Sequence, residues 1–401
     1  MGFGLFRHFE ESLDMVGKRI CLFFAVLGVS AMYSSVFALN STEIEAVLAA
    51  RHKSKARLTT GDKVVIETFV RSGLQELLLE EDPWEAVSIR VAIVAQRGGS
   101  ELSPYSAAFI EAAATNLKTT IEDAGRLQDA DRRRRTLLNL LIIAAELEST
   151  EMADIGLGML ASPDAATQYW AVKTVASPAI AAQLKSPITG DEDLTRRIVG
   201  ELDKAVGRRV APEGMRIVVE FADAVDTPEA RALVLKIADL RMSLYEKWTV
   251  KYELMDTILL SALGRQIMSE TAEPKRVTAC RKFGQLYSYV IERFILGGKV
   301  LSAGQKQQVA SVIAEVENTI VGKLLAQSRV RLKKAIESAK LSTLESARKL
   351  LLGSPRQAGS LPVKLKFDYG KTAAGTTAKA PKSLKPPPLP PPTNEQGSPA
   401  P

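Results

Sequence analysis

From Asn40 to about residue 352, apolar residues recur at α-helical spacing almost without a break, and this periodicity limits the fold more than any other feature. Val64, Val65, Phe69, Leu74, Leu77 and Leu78 trace one such stripe; Leu137, Leu138, Leu141, Ile142 and Ala145 trace another. A half-buried strand needs a period of two, and no stretch before residue 360 keeps one convincingly. Aromatic residues make up only 6% of the chain, while Ala and Leu dominate, which favours helix over sheet. The expected fold is therefore all-α: an α-solenoid or stacked helical hairpins, then an irregular helical bundle, then a disordered Pro-rich tail.

Helix starts share a local form, an apolar residue followed by Ser or Thr and, three positions on, a side chain able to reach back. Leu58-Thr59 with Asp62, Leu301-Ser302 with Gln305, and Leu341-Ser342 with Glu345 all fit, and the last two read as full capping boxes. Leu102-Ser103-Pro104 is a related start with Pro at the first helical position. Gly98-Gly99 and Gly297-Gly298 read as helix ends that need positive φ. After Pro228 neither Gly nor Pro occurs through residue 263, and that stretch reads as one long helix.

Start signals at Leu58, Leu102, Leu147 and Leu194 lie 44, 45 and 47 residues apart, the period of two-helix repeats. Within that frame, the run from Leu160-Ala-Ser-Pro-Asp through Tyr169-Trp170-Ala171-Val172 resembles the turn and second helix of a HEAT repeat. Asp82-Pro83-Trp84 and Thr227-Pro228-Glu229 look like degenerate versions, so the resemblance spans about 80–240. Gln168 stands where that family usually has Arg. The resemblance implies a helical-repeat surface that binds other macromolecules.

The N-terminus carries a different signal. Lys18-Arg19 precede an apolar run from Ile20, and Val36 and Ala38 supply the small residues of a signal-peptidase site. Residues 1–38 are expected to be a signal peptide, with residues 20–38 as an uncleaved membrane anchor in the alternative. The product is then exported, periplasmic or extracellular. Domains are expected at 39–227 (HEAT-like repeats), 228–352 (a long-helix bundle ending in a basic amphipathic helix over 323–352) and 353–401 (a low-complexity basic tail).

Charge is uneven. Residues 321–385 carry 15 Lys and Arg against 3 Asp and Glu, while 39–320 is net acidic. A basic arm points to an anionic partner: a protein, an acidic envelope polymer, or the surface of a membrane. The export signal disfavours nucleic acid.

Catalysis finds few groups to use. Of two histidines, His8 lies in the leader and His52 in a basic stretch; of two cysteines, Cys21 lies in the leader and Cys280 sits among apolar neighbours. Histidine triads and Cys- or His-based zinc sites lack their residues, and no phosphate loop or dinucleotide fingerprint occurs, so no catalytic residue, metal or cofactor is expected. Arg132–Arg135 are spread around most of a helix circumference and form no single anion face.

Binding candidates are more numerous. Tyr245, Trp248 and Tyr252, with Met255, would share one helix face. Arg329, Arg331, Lys333 and Lys334 line the basic helix. Val363, Leu365, Phe367 and Tyr369 alternate with polar residues in the only strict period-2 stretch, 361–369, expected to add to a partner's sheet edge with Phe367 and Tyr369 filling pockets; the alternatives are a groove on its own body or a disordered tail. The function expected is an exported, non-enzymatic binding or scaffold protein of the cell envelope. The alternatives are an exported helical hydrolase using two carboxylates and a membrane-tethered structural envelope protein.

Overall fold

The computed structural model describes residues 41–52, 57–98, 103–188, 190–207, 210–326 and 331–388. The expected signal segment 1–38 and the end of the Pro-rich run, 389–401, lie outside the described residues. The fold is all-α; among the described residues only two isolated antiparallel bridges, Gly353–Ala358 and Lys371–Thr377, depart from helix and coil. The chain divides into two compact units, one ending at Val175 and the other beginning at Ala176.

The first unit holds α1 (Ser41–His52), α2 (Thr60–Leu79), α3 (Pro83–Ala95), α4 (Pro104–Gly125), α5 (Ala130–Glu146), α6 (Ala153–Met159) and α7 (Ala165–Ala176), the last reaching the boundary. Their starts follow the local chemistry. Thr59 and Asp62 form a reciprocal capping box, Asp82 and Ser103 cap helices with Pro at their first turn, and Asp129 caps α5. The core lies where α2 packs on α4, with Phe69 and Phe109 ring centroids 6.4 Å apart. Tyr105 is fully buried there and donates to the Gln96 carbonyl at 2.8 Å; burial pushes its phenol up to about 12. Gly98 ends α3 with φ +87°.

The four consecutive arginines diverge as the helix geometry requires. Arg132 donates to the carbonyls of Leu78 and Leu79 at the end of α2, Arg133 to the Leu127 carbonyl, and Arg134 to Asp164. Three of the four thus tie helix ends and turns together, Arg132 and Arg133 by donating to carbonyls and Arg134 by pairing with a carboxylate.

The second unit holds α8 (Pro178–Lys185), α9 (Glu192–Gly207), α10 (Pro212–Val225), α11 (Pro228–Glu246), α12 (Met255–Ser269), α13 (Glu273–Leu296) and α14 (Ala303–Val316). A π turn, Glu317–Val321, carries α14 into α15 (Gly322–Leu325), and α16 (Leu332–Glu337), α17 (Leu341–Leu352) and α18 (Ser360–Leu365) follow. Helix α13 is the axis of this unit: α11, α12, α14, α17 and α18 all pack against it. Its second half is buried nearly all round, from Leu286 through Arg293, as expected of a helix with neighbours on every side. Cys280 is buried in it, and burial pushes the thiol up to about 11.

Four local expectations are corrected here. The stretch after Pro228 is two helices, broken between Glu246 and Met255, where Trp248 and Tyr252 take left-handed φ of +59° and +56°. The basic segment 323–352 is not one helix but α15, α16 and α17, with Ala326 left-handed at the end of α15. Ser302 and Gln305 do form a capping box, but Ser342 does not cap: α17 begins at Leu341, and Glu345 is drawn to Lys349 at 2.8 Å. Gly297 has φ −78°, so its small size rather than its conformation is used; a Cβ there would lie 2.6 Å from Leu301 Cδ1.

Candidate peptide groove on helix α13

The break after α11 is organised by buried charge. Arg241, fully buried, grips Asp256 with Nε to Oδ1 at 2.8 Å and Nη2 to Oδ2 at 2.7 Å. The same guanidinium donates to the carbonyls of Lys251 and Tyr252 within the break, the second of which also accepts the Met255 amide. Tyr245 donates to Asp256 Oδ2 at 2.6 Å; burial, and then the Asp256 charge, raise its phenol well above the ordinary range. Beside them Arg293 pairs with Glu253 at 2.9 Å, both almost fully buried, and its guanidinium faces the rings of Tyr245 and Trp248. An isolated buried charge is costly, and here each has an opposite partner.

This cluster fixes the position of Trp248. The indole leans over Arg293, its centroid 5.5 Å from the guanidinium carbon, and the indole Nε1 donates outward to the Lys385 carbonyl at 2.8 Å. On α13 itself, Gln285 engages both backbone groups of Lys382, its Nε2 donating to the carbonyl at 2.9 Å and its Oε1 accepting from the amide at 2.8 Å. Glu292, one α13 heptad further on, accepts from the Leu384 amide. Arg348 of α17 holds the other carboxylate oxygen at 3.0 Å and bonds Ser288 as well. Burial raises the Glu292 carboxyl, opposed by the Leu384 amide and Arg348.

The chain's own C-terminal segment, 353–388, therefore lies along α13 as a strap. Its first part is fastened by Arg276 donating to the Leu365 carbonyl and by Arg281, which reaches both the carbonyl and the carboxylate of Asp368. The Tyr369 ring lies against Gly284, where a Cβ would come within 2.7 Å of the hydroxyl oxygen, so the absence of a side chain at 284 makes the seat. Phe367 is buried beside it, ring centroids 5.3 Å apart and nearly perpendicular. In the last part, Pro381 and Leu384 are buried while Lys382, Ser383 and Lys385 are exposed, Ser383 with its side chain hydrogen-bonded to Glu292.

The residues singled out in the sequence are brought together only in part. Tyr245, Trp248 and Tyr252 do not share a helix face: Tyr245 is core, Trp248 is half-buried at the groove, and Tyr252 is 55% exposed. Of the basic set, Arg331, Lys333 and Lys334 are exposed, and Arg329 lies outside the described residues. The period-2 segment is no strand: Ser360–Leu365 is a short helix, Val363 is exposed, and Phe367 and Tyr369 turn onto α13. Pro362 and the αL residue Lys366 explain the loss of alternation, since neither suits a continuous strand. Gln285, Glu292 and Arg348 were missed. Nothing in their local sequence separates them from solvated helix residues.

The buried carboxylates Asp256, Glu253 and Glu292 each pair with an arginine, and Glu317 accepts the amides of Leu332 and Lys333 at the start of α16. His52 is exposed at the end of α1. Among the described residues no cluster of His, Cys, Asp and Glu is arranged to hold a metal ion, and no helix is long and apolar enough to cross a membrane. No protein-family model, curated protein or solved structure matches this chain.

Proposed function

We propose that the chain is an exported, non-enzymatic binding or scaffold protein of the cell envelope that takes hold of extended polypeptide through its helical body. The supporting observation is the set of side chains on α13 and Trp248 that bind a segment by its backbone: Gln285 on both groups of Lys382, Glu292 on the Leu384 amide, and Trp248 on the Lys385 carbonyl. Bonds to the peptide backbone give affinity with little dependence on sequence, and pockets for intervening side chains add selectivity. The basic-flanked apolar run before Ala38 supports export, and the HEAT-like spacing over about 80–240 supports a repeat-type binding body.

The experiment is affinity capture from the native envelope fraction with the full chain and with a full-chain Gln285→Ala, Trp248→Ala variant. A specific polypeptide partner recovered by the first and depleted at least tenfold with the second, at equal helicity, supports the reading. Equal recovery by both would refute the assignment of binding to this face.

A further inference from the structure

Resting on that binding reading, we infer that residues 381–385 occupy the α13 groove as an intramolecular ligand, and that the groove accepts in their place an extended segment bearing Pro and Leu three residues apart. The ligand class follows from which strap groups are buried. Pro381 and Leu384 are enclosed, Leu384 being only 4% exposed, whereas Lys382, Ser383 and Lys385 are exposed, with the Ser383 side chain hydrogen-bonded to Glu292. A competing segment therefore needs an apolar side chain at the Leu384 place and a proline three residues before it; it is free to vary at the Lys382 place, and a hydroxyl at the Ser383 place keeps the bond to Glu292. An extended backbone is required, because Gln285 takes the amide and carbonyl of one residue from the side, as a neighbouring strand would.

The strap is also built so that this part can leave alone. Phe367, Asp368 and Tyr369 are fastened separately, at Gly284 and Arg281, on an earlier stretch of α13. Between the two anchorages, Lys371–Thr377 form an exposed turn closed by the Tyr369–Ala378 and Ala378–Gly370 backbone bonds. Release of 381–385 breaks none of these bonds. The tether keeps the self-ligand at a local concentration on the order of millimolar, so a free segment of equal intrinsic affinity competes poorly until the strap is weakened.

The test titrates a fluorescently labelled synthetic peptide matching residues 379–388 into the full chain, into the full-chain variant Leu384→Asp and into Leu384→Asp combined with Gln285→Ala, with circular dichroism on each. The expected result is binding to Leu384→Asp at least tenfold tighter than to the parent chain, and loss of at least tenfold on adding Gln285→Ala. A peptide carrying Asp at the leucine position should not bind. Lys382→Pro, which removes the N–H that donates to Gln285 Oε1 without adding a charge to the apolar seat, is the second strap variant and should also bind the peptide more tightly than the parent. Folded strap variants that do not bind the peptide would overturn the exchangeable groove. Loss of helical structure in both strap variants would overturn it too, by showing the strap to be part of the fold. Equal binding to the parent chain and to Leu384→Asp would leave peptide binding standing and remove the self-ligand.

Discussion

Arg241 shows how one residue sets the geometry around it. Its guanidinium is fully buried, gripping Asp256 and capping the carbonyls of Lys251 and Tyr252, so it both breaks the helix after Glu246 and holds the break rigid. Replacing Arg241 with Met leaves Asp256 buried without its counter-charge, and should cost about 3–5 kcal/mol. Converting Asp256 to Leu in the same chain should recover a large part of that loss. Chemical denaturation of the single and double variants measures both. A second residue-scale expectation concerns Asp368. The Gly370 amide, and then Arg281, hold its carboxyl below the ordinary aspartate range. With the folded pKa depressed, its contribution is complete above about pH 4 and is lost as pH falls through the folded value. Proteolysis within the exposed 371–377 turn should therefore quicken on acidification below about pH 4 with an acid-stable protease, and Asp368→Asn should flatten that dependence. An unchanged pH profile in the variant would contradict it.

Helices were the most legible level, and their failures are informative. Thr59 and Ser302 cap as their spacing to Asp62 and Gln305 predicts, because nothing nearby competes for those side chains. Ser342 has the same signature, yet Lys349 and Arg348 draw Glu345 away, and the helix begins before the serine can cap it. Ser302→Ala should thus cost about 1 kcal/mol, while Ser342→Ala should stay within about 0.5 kcal/mol of the parent in equilibrium unfolding. The break at 247–254 escaped the sequence because no Gly or Pro marks it; a buried arginine supplies its bonds from eleven residues away, an interaction that local propensity does not contain. The strap was half legible. Phe367 and Tyr369 stood out as rings in a basic, flexible composition, but a short helix and an αL residue carry them onto α13 where alternation implied a strand.

At the scale of the molecule, the helical periodicity was enough to give the all-α fold, whereas the groove was not readable. Its parts come from α11's end, α13, α17 and the strap, and the bonds that make it are set by tertiary packing between residues about 90 to 137 positions apart. Charge segregation was plain in the sequence, and the structure puts part of the basic segment to an unexpected use: the backbone between Lys382 and Lys385 is held while the lysines themselves remain in solvent. The central claim is that residues 381–385 are gripped by their backbone on α13. Residue-resolved amide hydrogen exchange in the full chain tests this most directly. The Lys382 and Leu384 amides should be slowed at least tenfold relative to their intrinsic rates, and both should lose that protection in Leu384→Asp while the α13 core amides keep theirs. Exchange of Lys382 and Leu384 at the rate of an unstructured peptide in the parent chain would contradict the account.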